Sequence, residues 1–344
     1  MQTINYEIFG TLGPACADRV IIIEMADAGM TGMRLNLSHI SLPKAEGMLK
    51  ELTAANEMLI DEGGKPLDLL IDLNGPELRV AEMTKPKELL EGEVYEIPFK
   101  ENVLPLLKEG QTLLFDDGKL KGKIEEIIPI LSENEEDDYP SGGKKQVMIR
   151  ISRGGTLFGG KSIKIKGVET DLSPLTLEDI NNLSCAAKYG VTAVMQPFCT
   201  NAKDVSFVRK KMNEFGLEDA RLFAKIESIE GVENLSEIAD VSDMIVIARG
   251  DLGNDVPLYH LPAVQKKIEN KCKEKNIPYL VVTEMLSSMI ENERPTRAEV
   301  SDIFHAAYCG ASAVMVTNET AVGKHPVEVM RMLTKTFFEG LPKQ

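Results

Sequence analysis

No basic excess, no paired-cysteine motif and no long apolar run marks this sequence, and each absence excludes a class of protein. Lysine and arginine number 39 against 54 aspartates and glutamates, a net charge of −15. A general nucleic-acid binder needs a basic face, so this balance excludes one. It leaves room for small anionic substrates, because a few cations can make a local positive site. The five cysteines (Cys16, Cys185, Cys199, Cys272 and Cys309) are odd in number, scattered, and form no Cys-x-x-Cys. That argues against a disulfide framework or a zinc site and fits a reducing, cytoplasmic compartment. No basic stretch follows Met1, so no signal peptide is expected. No apolar run approaches the ~18 residues of a membrane helix, so no membrane association is expected.

What is present is ordinary for a globular protein: 43% hydrophobic and 27% charged residues, in a chain of 344. That length accommodates one large or two modest domains with a sizeable core. Short runs rich in Val, Ile and Leu recur, each followed by an amphipathic stretch. Strands are expected near Tyr6–Leu12, Gly32–Ser38, Asp68–Leu73, Thr192–Gln196, Arg221–Ile226, Asp243–Ala248, Tyr279–Thr283 and Ser312–Val316. They are continuously apolar rather than alternating, as parallel strands covered on both faces are. Helix signals separate them. Asn201 precedes Val205, Val208 and Met212, with Gly216 beyond. Thr176 and Asp179 read as a capping box, closed by Gly190. Gly29, Gly310 and Gly340 stand at other expected helix ends. Eight such units predict an α/β fold, a (β/α)8 TIM barrel formed by residues 1–80 and 161–344. On pattern alone the rival is an open doubly wound sheet. Residues 81–160 break the rhythm: short β runs separated by Asp-Gly and Gly-Gly turns predict an inserted β-barrel-like, β-rich lid after strand 3.

Charges gather at the ends of the apolar strands, where a barrel keeps its chemistry. Residues two apart on a strand share a face. Arg34, Asn36 and Ser38 therefore share one at the second strand, Lys225 and Glu227 at the fifth, and Arg249 and Asp251 end the sixth. Asp72 ends the third and Thr283 the seventh. A buried charge is costly unless paired or bound to an ion. Lys225 and Glu227 also read as a structural ion pair, and Asp72 or Arg34 taken alone is equally a packing or capping residue. Two cations and three carboxylates at one mouth describe a site for an anionic phosphate ester with a divalent metal.

At these residues the sequence resembles the pyruvate kinase family. The matching segments keep the family's order: Thr11-Leu-Gly-Pro-Ala15, Arg34-Leu-Asn-Leu-Ser-His39, Gly75-Pro-Glu-Leu-Arg79, Asp116-Asp-Gly118, Lys166-Gly-Val168, Lys225-Ile-Glu227, Ala248-Arg-Gly-Asp-Leu-Gly253, Thr283-Glu-Met-Leu286, Arg294-Pro-Thr-Arg-Ala-Glu299 and Glu319-Thr-Ala321. The resemblance implies phosphoryl transfer between phosphoenolpyruvate and ADP/ATP, with Mg2+ (or Mn2+) and K+ as cofactors. It implies that Glu227 and Asp251 hold the divalent ion. Lys225 would neutralise the phosphoryl group and Arg34 bind the phosphate. Gly250 and Asp251 would receive the substrate carboxylate, and Thr283 anchor it beside the proton-delivering water. Asn36, Ser38, Asp72 and the Leu73 carbonyl match potassium ligands. Pro14, His39, Arg79 and Lys166 match nucleotide-lining positions, and Asp117 matches the lid aspartate.

The sequence departs from the family in places. Leu73 and Asn74 stand where many members have Thr-Lys, and Pro197 where a serine is common. Glu284 follows the active-site threonine, and Thr317-Asn318 precedes Glu319. The family's C-terminal regulatory domain is expected to be absent, with barrel-side contacts left for a homo-oligomer. Alternative readings are a catalytically weak homologue sensing phosphoenolpyruvate, and a lyase or decarboxylase working on the pyruvate enolate.

Overall fold

A computed structural model describes residues 6–101, 103–116, 118–129, 145–166 and 173–342. Two compact units divide the chain: Met1–Pro76 with Ser173–Gln344, and Glu77–Leu172.

The first unit is the barrel. Its strands are β1 (Glu7–Thr11), β2 (Gly32–Asn36), β3 (Asp68–Asp72), β4 (Ala193–Gln196), β5 (Arg221–Ile226), β6 (Met244–Ala248), β7 (Tyr279–Val282) and β8 (Ala313–Met315). Each pairs parallel with its neighbour, and β1 pairs with β8, so the sheet closes. The continuous apolar runs produce this outcome, since such strands need cover on both faces. The helices supplying that cover include α1 (Arg19–Asp27), α2 (Glu46–Asp61), α3 (Leu177–Ala186), α4 (Ala202–Glu214), α5 (Ile229–Glu233), α6 (Leu235–Ala239), α7 (Arg249–Asp255), α8 (Leu261–Lys275), α9 (Arg297–Tyr308), α10 (Asn318–Ala321) and α11 (Pro326–Gly340). The Thr176–Asp179 capping box opens α3 and Asn201 caps α4, as their sequences demand. Gly340 stands at a helix end, as expected. It is the last residue of α11, and a Cβ there would stand 2.5 Å from the Phe304 carbonyl oxygen, so close packing requires the glycine.

Inside the barrel, the two-residue alternation stacks side chains in layers from alternate strands. Phe9, Leu70, Phe223 and Leu280 come from odd strands; Met195, Val246 and Met315 come from even strands. One step toward the strands' C-terminal ends, the same odd-strand faces carry Thr11, Asp72 and Lys225 beside Val282. At the opposite end an ion cluster braces the floor. Arg221 donates to both Glu7 oxygens at 2.8 Å and reaches Asp68 at 3.2 Å. Glu7, Asp68 and Arg221 all begin odd strands, so their convergence follows from the same layering.

Several strand ends differ from the sequence reading: β2 stops at Asn36, before Ser38, β7 stops at Val282, before Thr283, and β6 stops at Ala248. Arg249 and Asp251 do not end β6; they lie in the first turn of α7. Among the described residues no helix is long and apolar enough to cross a membrane.

The second unit is antiparallel. Its larger sheet runs in the order Leu78–Arg79, Ser162–Ile165, Thr112–Phe115, Leu120–Pro129, Lys145–Arg153 and Val94–Glu96. Lys87–Leu89 pairs separately with Gly155–Leu157. Its own core includes Phe99, Phe115, Ile124, Ile149 and Ile163.

Candidate active site

The charged layer at the barrel mouth is built around Asp72. β2 and β3 are in register so that Asn36 faces Asp72. Arg34, one turn of the pleat below, reaches up to the same carboxylate. Its Nε and Nη2 donate to Asp72 Oδ2 at 2.8 and 2.6 Å, while Nη1 makes a 3.4 Å contact with Thr11 Oγ1. From β5, Lys225 Nζ lies 3.5 Å from Asp72 Oδ1 and 2.9 Å from Glu227 Oε1. Asp72 Oδ1 is buried and accepts no hydrogen bond among the described residues. Asp72 and Glu227 are each 2% exposed, so these charges exist only because they face one another. Burial works against the Lys225 ammonium, but Asp72 and Glu227 outweigh it and hold its pKa above the ordinary lysine value. Lys225 therefore stays cationic at any neutral pH.

Glu227 follows β5 directly, and its position is fixed by backbone. The Phe198 N–H donates to its Oε2 at 2.7 Å. Phe198 has a φ of 54°, a left-handed conformation uncommon without glycine. It follows Pro197, against which Gly75 packs: a Cβ on Gly75 would lie 2.6 Å from Pro197 Cγ. Gly75 itself has a φ of 64°. Its N–H and that of Asn74 donate to Asp179 of α3, at 3.1 and 2.7 Å. The loops after β3 and β4 thus lean on each other and on one helix cap, and Glu227 inherits the result.

On the far side of the mouth, Gly250 and Asp251 occupy the first turn of α7. Asp251 is near enough to act on the charge of Lys225. Thr283 packs over this turn, since a Cβ on Gly250 would stand 3.2 Å from Thr283 Cγ2. Thr283 and Glu284 have φ of 83° and 55°, and a β-branched residue there is strained. Arg249 holds the strain: Nε and Nη2 donate to the Thr283 carbonyl at 3.1 and 2.5 Å, while Nη1 pairs with Asp302 at 2.6 Å. Glu319, 1% exposed, ties the neighbouring loops by accepting from Leu286 N at 3.2 Å and Thr317 N at 2.7 Å.

The structure therefore brings Arg34, Asp72, Lys225 and Glu227 into one ionic network, and Gly250, Asp251 and Thr283 into one adjoining turn. Asn36 Oδ1 accepts from the Ser38 hydroxyl at 2.8 Å and its N–H at 3.2 Å, which places both at the end of β2. The Leu73 N–H joins β3 to β4 through Met195 O at 3.0 Å. Pro14 and His39 are exposed on loops after β1 and β2. Arg79 and Lys166 belong to the second unit. There Arg79 pairs with Glu77 and donates to Gly160 O at 2.9 Å, and Lys166 is exposed. Asp117 lies outside the described residues. Sequence reasoning gave Thr11 and Arg249 no role, and it missed the Phe198 amide and the bonding of Glu319. The buried ends of apolar runs were the available signal for Arg249; for a backbone amide there was none.

A family model described as the pyruvate kinase barrel domain matches residues 4–330. The pyruvate kinase of Aeropyrum pernix is 34% identical over 337 residues, covering 96% of this chain and 69% of that protein. That of Bacillus licheniformis is 32% identical over 341 residues, covering 95% of this chain and 55% of its own length. That of Corynebacterium glutamicum is 34% identical over 343 residues, with 96% and 68% covered. The chain thus spans between 55% and 69% of the length of these relatives.

Proposed function

This chain belongs to the pyruvate kinase family, and from that premise we propose that it is a phosphotransferase carrying the phosphoryl group of phosphoenolpyruvate to ADP. The observation that supports this most is the Arg34–Asp72–Lys225–Glu227 network at the C-terminal mouth of a closed barrel. Phosphoryl transfer passes through a loose transition state, so a protein contributes mainly position and opposing charge. Arg34 places Nε and one Nη2 proton on Asp72 and one Nη1 proton on Thr11, which fixes the guanidinium plane and leaves the second Nη1 and Nη2 protons for a substrate phosphate oxygen. Lys225, held cationic by Asp72 and Glu227, takes the charge on the phosphoryl group in flight. Gly250 and Asp251 receive the substrate carboxylate, and Thr283 fixes its other side and the water that protonates the methylene carbon. Pro14 and His39, with Arg79, Lys166 and Asp117, are proposed to line the nucleotide.

The carboxylates suit Mg2+ or Mn2+. Glu227 and Asp251 are hard oxygen donors near one ammonium. Among the described residues no three metal-binding side chains form a closed cage. A magnesium ion needs only one or two carboxylates, taking its other ligands from water and phosphate. Glu227 and Asp251 would hold it, and bound there it would polarise the phosphoryl oxygens. For potassium, the buried Asp72 Oδ1 without a hydrogen bond, and the adjacent Asn36 and Ser38 oxygens, support a monovalent site completed by the Leu73 carbonyl.

The test is pyruvate formation from phosphoenolpyruvate and ADP with Mg2+, with and without K+, for the wild type and Lys225→Met. Turnover lost in the variant supports the reading. A folded wild type without turnover overturns it.

A further inference from the structure

Far from the mouth, at the floor of the barrel, a second set of reactive side chains meets between two helices. Cys309 is the residue after α9, three positions before the segment that enters β8. Its Sγ lies 3.2 Å from Lys266 Nζ on α8 and 3.4 Å from His305 Nε2, one turn earlier on α9. Lys266 also donates to Glu269 Oε2 at 3.0 Å, and Gln265 donates to the other oxygen of that carboxylate at 3.0 Å. Glu269 is only 1% exposed, so the ammonium is anchored rather than free to swing. The Tyr279 hydroxyl donates to the Cys309 carbonyl at 2.6 Å and pins the cap from inside. Cys309 is 5% exposed, yet Lys266 and His305 on either side of it are exposed, so the sulfur sits just under the surface.

This environment differs in kind from that of the other thiols. Cys16, Cys185 and Cys199 point their sulfurs at the carbonyls of Thr11, Asn182 and Gln196, as donors. Burial pushes the Cys16 thiol up to about 11 and that of Cys272 up to about 12, well away from a thiolate. Only Cys309, among the described cysteines, has a lysine nitrogen donating to its sulfur and an imidazole beside it. Neither the proposed phosphotransfer nor the ion cluster around Arg221 uses any of these groups.

We propose that Cys309 and Lys266 are an oxidation-sensitive pair that closes to a sulfur–nitrogen bridge between α8 and α9 on exposure to hydrogen peroxide. The steps balance. His305 accepts the thiol proton, and the sulfur attacks one peroxide oxygen. The O–O bond breaks, the sulfur becomes a sulfenic acid, and the second oxygen leaves as water once protonated. The sulfur is oxidised by two electrons and the peroxide reduced by two. The Lys266 nitrogen, having given a proton to solvent, then attacks the sulfur. An S–N bond forms, the S–O bond breaks, and hydroxide departs as a second water. The net change in the protein is the loss of two hydrogens. The 3.2 Å approach of Nζ gives the amine an intramolecular advantage over any external thiol. Reduction by a dithiol restores both side chains.

The experiment is intact-mass and peptide mapping of the whole chain after dilute hydrogen peroxide, with and without dimedone, for the wild type, Cys309→Ser and Lys266→Gln. The expected product is lighter by two hydrogens, unreactive to dimedone and reversed by dithiothreitol. In it trypsin no longer cuts after Lys266, and one fragment joins the two helices. Both variants lose that product, and Lys266→Gln instead accumulates a dimedone adduct on Cys309. Lys266 is a surface residue and Cys309 a buried one, so Lys266→Gln tests the proposal without altering the cap. A wild-type chain that forms the dimedone adduct at Cys309, or leaves Cys309 unoxidised, overturns the proposal.

Discussion

Replacing Arg249 by methionine removes the clamp on the loop after β7 without touching any group proposed to meet substrate. Thr283, at a φ of 83°, carries strain of about 1–3 kcal/mol. A hydrogen bond from a charged donor contributes about 1.5–3 kcal/mol, and Arg249 makes two to the Thr283 carbonyl. Together the two bonds, at about 3–6 kcal/mol, outweigh the strain, so without Arg249 the left-handed conformation loses its support. Thr283 then relaxes toward ordinary φ, and its side chain leaves Gly250. A displacement of about 1 Å at a catalytic group costs about 100-fold in rate. Steady-state pyruvate formation should show kcat down by about that factor, with half-saturation by ADP little changed, because Thr283 does not face the nucleotide in the proposed arrangement. Arg249→Lys should recover only part of the loss, since one ammonium cannot reproduce the fork that holds both Thr283 and Asp302. A methionine variant that melts normally and keeps wild-type kcat would refute the role assigned to the clamp.

Three further outcomes follow from the same geometry. Gly75→Ala meets both a positive φ and a 2.6 Å approach to Pro197; it should cost well over ~1 kcal/mol in chemical denaturation. By moving Phe198 it should also raise the Mg2+ concentration needed for half-maximal activity, and an unchanged Mg2+ titration in the folded variant would count against the Phe198–Glu227 link. Because the Lys225 pKa is raised in the folded state, its stabilisation is complete below the ordinary lysine value of about 10.4 and disappears as pH climbs through the higher folded one. Urea midpoints followed into alkali should therefore fall more steeply for the wild type than for Lys225→Met, and parallel curves would contradict this. Arg221→Met, at the floor, should lower stability by about 2 kcal/mol while leaving the KM for phosphoenolpyruvate unchanged; a shifted KM would mean the floor and mouth are coupled.

Much of the barrel could be read from the sequence because its strands are apolar on both faces, a pattern that few other environments produce. The strand ends were less legible, for a local reason. Asn36 bonds Ser38 through its side chain and so leaves the ladder two residues before the apolar run suggests. The run before Arg249 gives no warning that the next residue turns helical, since a helix start needs only backbone N–H groups to be left over. Lys225 and Glu227 were legible as a pair, being two apart where β5 ends. The bonding of Arg34 to Asp72 was not, because the register of β2 against β3 decides it. Nor was the strain at Thr283, Glu284 and Phe198: none is a glycine, and only tertiary contacts hold such residues in left-handed conformations. Cys309 and Lys266 stand 43 residues apart in sequence and meet only because consecutive helices lie side by side around the barrel.

The segment Glu77–Leu172 interrupts a parallel barrel between two strands that must find each other, β3 and β4. Loop-closure entropy grows only logarithmically, by about 0.6 kcal/mol per doubling of length, so even a long insertion is a mild burden. Here the burden shrinks further. The strand Leu78–Arg79 near one end of the insertion pairs with Ser162–Ile165 near the other. Once the insertion has folded on its own core, its entry and exit are already together, and what remains between β3 and β4 is an ordinary crossover through α3. An insertion folded first would thus shorten the search between β3 and β4 to that of an uninterrupted β–α–β unit, a saving supplied by the strand that closes the small sheet.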